Sequence, residues 1–360
     1  MAILHERPGI SAIQHLLLDP EISEIMINGT RFLFVERGGV MQQLHPIFSS
    51  KQQLDVLVEN LVMLTGRAVN VKSPFVDFRM PDGARVNVVI APVALDGPVI
   101  TIRKMTRSLR TLDDLVARGT LNAQMAFFLF TCVRARKNIL FSGGTATGKT
   151  TTLGMLSAYI PEGERIVVIE DTAELELRQP HVVRLECRPP NLEGTGAIAL
   201  ADLLRNSLRM RPTRIIVGEV RGEEAFDMLN AMTSGHDGSL AVIHASSPTH
   251  ATARMEMMVL SRGLPLPIWS IQRQIAGAVD LIVQHALLPD GTRRVTHITE
   301  VVEAKDDQVK LRDLFLYEQH GFDAQGAVVG QFRCTGEEPT FLPELRRLAG
   351  DNIVQALTPD

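Results

Sequence analysis

Asn138-Ile139-Leu140-Phe141-Ser142-Gly143-Gly144-Thr145-Ala146-Thr147-Gly148-Lys149-Thr150-Thr151 is the stretch that decides the fold. Residues 138–142, apolar at 139–141, are of strand length, 143–150 match GxxxxGK[ST] in full, and a helix is expected over 150–159. A glycine-rich turn between a buried strand and a helix aims backbone N–H groups and the positive helix end at one point. A triphosphate fits there. Glycine lets the backbone approach the phosphates, Lys149 supplies a cation to the β- and γ-phosphates, and the Thr150 hydroxyl serves Mg²⁺. Gly143, Gly144, Thr145, Ala146, Thr147, Gly148, Lys149, Thr150 and Thr151 are therefore the candidate nucleotide-binding residues, with ATP and Mg²⁺ as expected ligands.

Three further β-runs lie downstream. Ile166-Val167-Val168-Ile169 closes in Glu170-Asp171, Arg214-Ile215-Ile216-Val217-Gly218 in Glu219, and Gly238-Ser239-Leu240-Ala241-Val242-Ile243 in His244. From residue 138 the pattern runs strand, glycine loop, helix, strand, helix, strand, which predicts a mostly parallel sheet with helices on both faces. The carboxyl ends of such strands share one edge with the glycine loop. Glu219 is the candidate general base. Gly218 stands where many P-loop ATPases keep a Mg²⁺-binding Asp, so Thr150, Glu170 and Glu219 are the candidate metal group. His244 is a candidate γ-phosphate sensor, although a strand-end His is commonly a hydrogen-bonded structural group, and His236 shares that ambiguity, while Glu174 and Glu176 are either site acids or surface helix charges. Arg79, Arg85 and Arg103 lie on strands of the first domain. Each either carries a cation to the γ-phosphate or pairs with a surface carboxylate, and spacing does not choose.

The chain has 360 residues, 45% hydrophobic and 22% charged, enough for two globular domains. A formal net charge of −4 supplies no global field toward nucleic acid or an anionic membrane, so nucleic acid is not the expected partner. Cys132, Cys187 and Cys334 are too scattered for a metal clip or a disulfide framework, and no zinc is expected. The amino terminus lacks a signal core. The longest nearly uncharged apolar stretch, 123–133, falls short of the roughly 20 residues that span a bilayer, so the protein is expected in the cytosol, with any membrane role peripheral.

The first hundred residues read as a small α+β domain. A helix over 10–18 should stop at Asp19-Pro20, strands follow at 24–28 and 31–37, and Ser49-Ser50 caps a helix striped by Leu54, Leu57, Val58 and Leu61 that Gly66 ends. Two β-runs, 84–93 and 99–104, complete it. Thr111 with Asp114 resembles a capping box, Gly119 closes that helix and Asn122 caps the next. After Val283 the strands are expected to shorten around an Asp290-Gly291 turn, with 293–303 and 309–318 as a β-rich extension. The predicted organisation is an N-terminal α+β domain 1–106, a linker and connecting helix 107–120, an ATPase domain 121–323, and a tail 324–360.

The runs GGTATGKTT, VVIEDTAEL, RIIVGEVRG and SGHDGSLAVIHASSP resemble, in order and spacing, the Walker A, Asp-box, Walker B and His-box of the secretion ATPases. With SEIMINGTRFLFVERGG, PDGARVNVVIAPVALDGPVITIRK and QPHVVRLECRPPNLEGTG, the chain looks most similar to the CpaF-type branch, the ATPases of tight-adherence (Flp) pili in the type II/type IV secretion superfamily, over about 17–323. The resemblance implies a RecA-like P-loop core with a smaller PAS-like α+β N-terminal domain, ring-shaped homohexamers, and hydrolysis coupled to domain closure. It also implies a polytopic inner-membrane platform protein as partner and a cytoplasmic location peripheral to the inner membrane. Lys149, Thr150, Glu170, Glu219 and His244 fall on family motif positions. Arg85 and Arg103 fall where the family places cross-domain arginines, and Arg221 follows the Walker B acid. Ala146 stands where the family's loop usually has Gly, which is harmless unless residue 146 needs positive φ. The helical amino-terminal extension common in that branch is nearly absent, which weakens the expected membrane docking. The tetracysteine zinc module of type II secretion ATPases has no counterpart. The expected function is ATP hydrolysis powering pilus assembly or secretion, with conjugation-type DNA transfer as the alternative. A metabolic kinase would need a lid that the sequence lacks, and a non-hydrolysing scaffold would not need the carboxylates.

Overall fold

The structure, a computed structural model, describes residues 9–63, 68–104, 111–190, 194–306 and 308–359. The chain divides into two compact units, Met1–Leu109 and Arg110–Asp360.

The first unit holds α1 (Ile10–Leu18), β1 (Ile22–Asn28), β2 (Phe32–Arg37), β3 (Val40–Leu44), α2 (Lys51–Met63), β4 (Phe75–Arg79), β5 (Arg85–Val89) and β6 (Val99–Arg103). α1 ends where expected, because Pro20 drives Asp19 into extended backbone, φ −68 and ψ 113. The strands form an antiparallel sheet in the order β3-β2-β1-β6-β5-β4. Period-2 alternation places Val76, Phe78, Val86, Val88, Ile100 and Ile102 on one face, in a single core with Ile10 and Ile13 of α1 and Leu54, Leu57 and Leu61 of α2. The expected Gly66 stop lies outside the described residues. β3 and β4 were not readable: β3 has no buried residue, and Phe75 on β4 faces solvent and breaks the alternation.

The second unit opens with α3 (Leu112–Ala117) and α4 (Ala123–Arg134), then β7 (Ile139–Gly143), α5 (Lys149–Ser157), β8 (Ile166–Glu170), β9 (Val182–Glu186) and α6 (Leu200–Ser207). It continues through β10 (Arg214–Val220), α7 (Glu224–Thr233), β11 (Leu240–Ile243), α8 (Pro248–Ser261), α9 (Ile268–Ala278) and β12 (Leu281–Leu287). β13 (Arg293–Lys305), β14 (Gln308–Phe322), β15 (Val328–Cys334), α10 (Leu342–Ala349) and α11 (Asn352–Ala356) close it. Thr111 and Asp114 make the reciprocal capping box of α3, and the Asn122 side chain accepts from the Met125 amide at the start of α4. Nine strands form one sheet in the order β15-β14-β13-β12-β7-β11-β10-β8-β9. β12, β7, β11, β10, β8 and β9 run parallel. β7, β8 and β11 are buried at every residue, as a sheet covered on both faces requires. This is the RecA-like α/β core expected from the sequence. β7 lies between β11 and β12, where the strand order reverses, so the glycine loop opens at the switch point where α/β sheets bind ligands.

Three expectations need correction. The strands after Val283 do not shorten: β13 and β14 have 13 and 15 residues and are the longest described. Residues 324–360 are no tail, because β15 pairs with β14 at the sheet's end and α10 and α11 pack on α4. They are anchored by buried Phe341, Leu345, Ile353 and Leu357, by Lys137 Nζ 2.6 Å from Glu344 Oε2, and by the Thr340 amide donating to Glu300 Oε1 at 2.7 Å. The helix of the expected linker, α3, clusters with this second unit rather than standing between domains.

Candidate active site

The loop between β7 and α5 is held in one shape by glycine and by its own hydrogen bonds. Gly143 has φ 153, and a Cβ there would lie 2.6 Å from the His285 carbonyl oxygen and 2.7 Å from Thr147 Oγ1, so only glycine fits. Gly148 has φ 95 at the N-cap of α5. Ala146 takes φ 60, a left-handed conformation that costs an L-residue about 1–2 kcal/mol. The position that the family usually fills with glycine thus does need positive φ. Thr147 Oγ1 donates to the Gly144 carbonyl at 3.0 Å, and buried Lys149 folds its Nζ onto the same carbonyl. Arg293, at the start of β13, donates from Nε to the Ala146 carbonyl at 2.7 Å. No acidic side chain occupies the first turn of α5, so its positive end is unopposed.

Glu219 sits near the carboxyl end of β10. Its Oε2 accepts from Arg221 Nη2 at 2.7 Å, and its Oε1 lies 3.1 Å from His244 Nε2 just beyond β11. Burial alone would push the Glu219 carboxyl up. The Arg221 hydrogen bond and the nearby His244 and Lys149 outweigh it, and the net shift is downward. His244 is pushed below its ordinary value by burial and by Lys149. It is therefore neutral at pH 7, and Nε2–H donates to the carboxylate rather than forming an ion pair. Arg221 also reaches Asp171, Nη1 to Oδ2 at 3.4 Å, and so bridges the Asp-box loop to the Walker B acid. The result is an ionised carboxylate oriented from two sides, which is suited to aligning and deprotonating water.

Glu170 ends β8 and is 3% exposed. Its Oε1 accepts from the amides of Glu174 at 2.8 Å and Leu175 at 3.0 Å, while its Oε2 is buried without a hydrogen-bond partner. Burial raises its carboxyl above the ordinary range, and those amides offset this only in part. Gly218 explains how the side chain fits, since a Cβ on Gly218 would lie 2.7 Å from Glu170 Cγ. The glycine that replaces the usual metal-binding Asp makes room for the neighbouring strand's acid. Among the described residues no three His, Cys, Asp or Glu side chains converge to hold a metal unaided. A Thr hydroxyl and carboxylate oxygens suit Mg²⁺, which takes its remaining ligands from phosphates and water, and the unpartnered Glu170 Oε2 fits such a ligand or its water.

Of the ambiguous residues, His236 Nδ1 stands 3.2 Å from the Ala231 carbonyl near the end of α7, a structural contact. Glu174 contributes its amide to Glu170, and Glu176 is exposed. In the first unit, strand register sets Arg79, Arg85 and Arg103 side by side on β4, β5 and β6, with Glu24 of β1 next to Arg103. Arg103 Nε is 3.5 Å from Glu24 Oε1, and Arg79 Nε and Nη2 are buried without hydrogen-bond partners. Like charges on one rung repel, and Glu24 beside Arg103 offsets part of that repulsion. Arg293, His285 and the packing role of Gly218 escaped the sequence reading. His285 is fully buried behind Gly143, with both ring nitrogens unpartnered and its pKa pushed down to about 3 by burial.

Residues 6–327 match the family model of the type II/IV secretion system proteins. The chain belongs to this family. The type IV secretion system protein VirB11 of Brucella suis is 31% identical to this secretion-family chain over 311 residues, 79% of this chain and 86% of the relative. The conjugal transfer protein TrbB of Rhizobium radiobacter is 31% identical over 289 residues, 78% and 84% of the two chains. The solved structure of the Legionella pneumophila ATPase DotB shares the fold, with a TM-score of 0.56 at 20% identity over 80% of this chain and 79% of its own. The two sequence relatives are a VirB11 and a TrbB protein, so the family, and not the CpaF-type branch, is what the comparisons establish.

Proposed function

We propose that this secretion-family chain is a MgATP-hydrolysing motor subunit. The observation that carries the reading is Glu219, an ionised carboxylate oriented by Arg221 and His244 and placed within the field of Lys149 of a complete phosphate loop. The amides of 143–150 and the α5 end bind the phosphates, and Lys149 exchanges the Gly144 carbonyl for phosphate oxygens. Glu219 takes a proton from the attacking water while His244, neutral, keeps the carboxylate in place and reports on the γ-phosphate. Thr150, Glu170 and Glu219 are the residues that would hold Mg²⁺ or its water, and the ion would neutralise charge on the phosphates. Arg85 and Arg103, side by side on β5 and β6, are the proposed cationic residues of the motor. Homohexamer formation, a polytopic inner-membrane platform protein as partner, and a cytoplasmic position at that membrane complete the proposal. The Asp-box, His-box and amino-terminal runs favour tight-adherence pilus assembly or secretion as the work done. The VirB11 and TrbB relatives favour a second reading, a type IV secretion or conjugation machine.

Glu219→Gln tests the chemistry. The amide keeps the shape but cannot accept a proton, so turnover should fall by at least about 10²-fold while a fluorescent ATP analogue still binds. Turnover within a few-fold of wild type would remove Glu219 as the base.

A further inference from the structure

The phosphate loop has an outside support that its own motif does not encode. β12 pairs with β7, putting His285 opposite Gly143, and its carbonyl oxygen leaves no room there for a side chain. The chain then turns through 288–292. Leu288 and Gly291 close that turn by backbone bonds, and Asp290 Oδ1 accepts from the Thr292 amide at 2.9 Å and hydroxyl at 2.6 Å. Asp290 Oδ2 accepts from the Val328 amide at 2.8 Å, tying the turn to β15. Arg293 emerges from this fixed turn as the first residue of β13. Its Nε meets the Ala146 carbonyl at 2.7 Å, and its Cδ lies 3.7 Å from where a Cβ on Gly148 would sit.

Ala146 is the one residue of the loop with a side chain and a left-handed backbone. An alanine released from that conformation relaxes to negative φ, which reorients its peptide and the amides beside it. We infer that Arg293 is a positioning residue for nucleotide binding: its bond to the Ala146 carbonyl holds the alanine-bearing loop in the left-handed, phosphate-receiving shape that a glycine would reach unaided. This inference rests on the nucleotide-binding reading of the loop. The support is a mid-chain hairpin braced by β15, so the carboxyl-terminal strands contribute to the site without touching the reaction.

The test is a double-mutant cycle on Ala146→Gly and Arg293→Met in the full chain, read by the Kd of a fluorescent ADP analogue and by KM and kcat for ATP. In the Ala146 background Arg293→Met should weaken ADP binding about tenfold and raise KM in parallel, because a loop released from its strained conformation must first be re-formed. In the Ala146→Gly background the same substitution should cost about twofold or less, since glycine takes positive φ freely. Arg293→Lys, which keeps a donor, should recover part of the loss. Restored affinity in the double variant also answers any concern that Arg293→Met only unfolds the chain. Equal losses in both backgrounds, or no loss in either, overturn the positioning role while leaving the nucleotide reading intact. A wild-type chain that binds no nucleotide overturns both.

Discussion

Gly218 illustrates how one missing side chain organises two strands. It adjoins Glu170 across β10 and β8, and any Cβ would meet Glu170 Cγ at 2.7 Å. Gly218→Ala should therefore push the acid off the Glu174 and Leu175 amides, destabilising the chain by about 1–3 kcal/mol and lowering turnover. Urea unfolding alongside an ATPase assay checks this, and an unchanged midpoint with full activity would contradict it. The sequence marks position 218 as lacking an Asp, yet the reason lies in a strand register that one chain's pattern does not reveal. The strand-end placement of Glu219, Glu170 and His244 was legible because each follows an apolar run. Arg293 was not legible, since its partner is a carbonyl 147 residues away, and nothing local distinguishes it from Arg294. Ala146 was legible as a departure from the motif, whereas its positive φ required the loop's geometry.

Elements with clean periodicity or punctuation were readable to within a few residues: α1 before Pro20, α3 in its capping box, β7, β8, β10 and β11 as buried runs. The carboxyl-terminal region was readable only in part: the expected runs 293–303 and 309–318 fall on β13 and β14, but their full lengths, β15, α10 and α11 were not foreseen. β13 shifts register at Ile298/Thr299 and Val301/Glu303, which scrambles the alternation that would mark a long strand. β15 is half exposed along its length and carries little hydrophobic signal. Their integration into the core has a consequence for stability. Phe128 of α4 meets Phe315 of β14 with ring centroids 5.4 Å apart, and the α10–α11 segment adds buried Leu345, Ile353 and Leu357 to the same unit. Ending the chain at Phe322 removes β15 and both helices. At about 1.5–3 kcal/mol per buried side chain, the truncated chain should melt at least about 10 °C lower or fail to stay soluble. Calorimetry decides, and an unchanged melting temperature would mean that these residues are a dispensable tail.

At the scale of the molecule, one unit carries a row of arginines and the other a complete phosphate loop with an oriented carboxylate. Among the described residues no helix is long and apolar enough to cross a membrane. A motor subunit of the proposed kind works within a ring, so its turnover should depend on assembly. The most direct measurement is ATP turnover per chain across a range of protein concentrations, with molar mass followed by light scattering in the same samples. Turnover that climbs as a hexamer forms is the predicted result. A monomer that turns over ATP at its full rate at every concentration would contradict the ring-motor account.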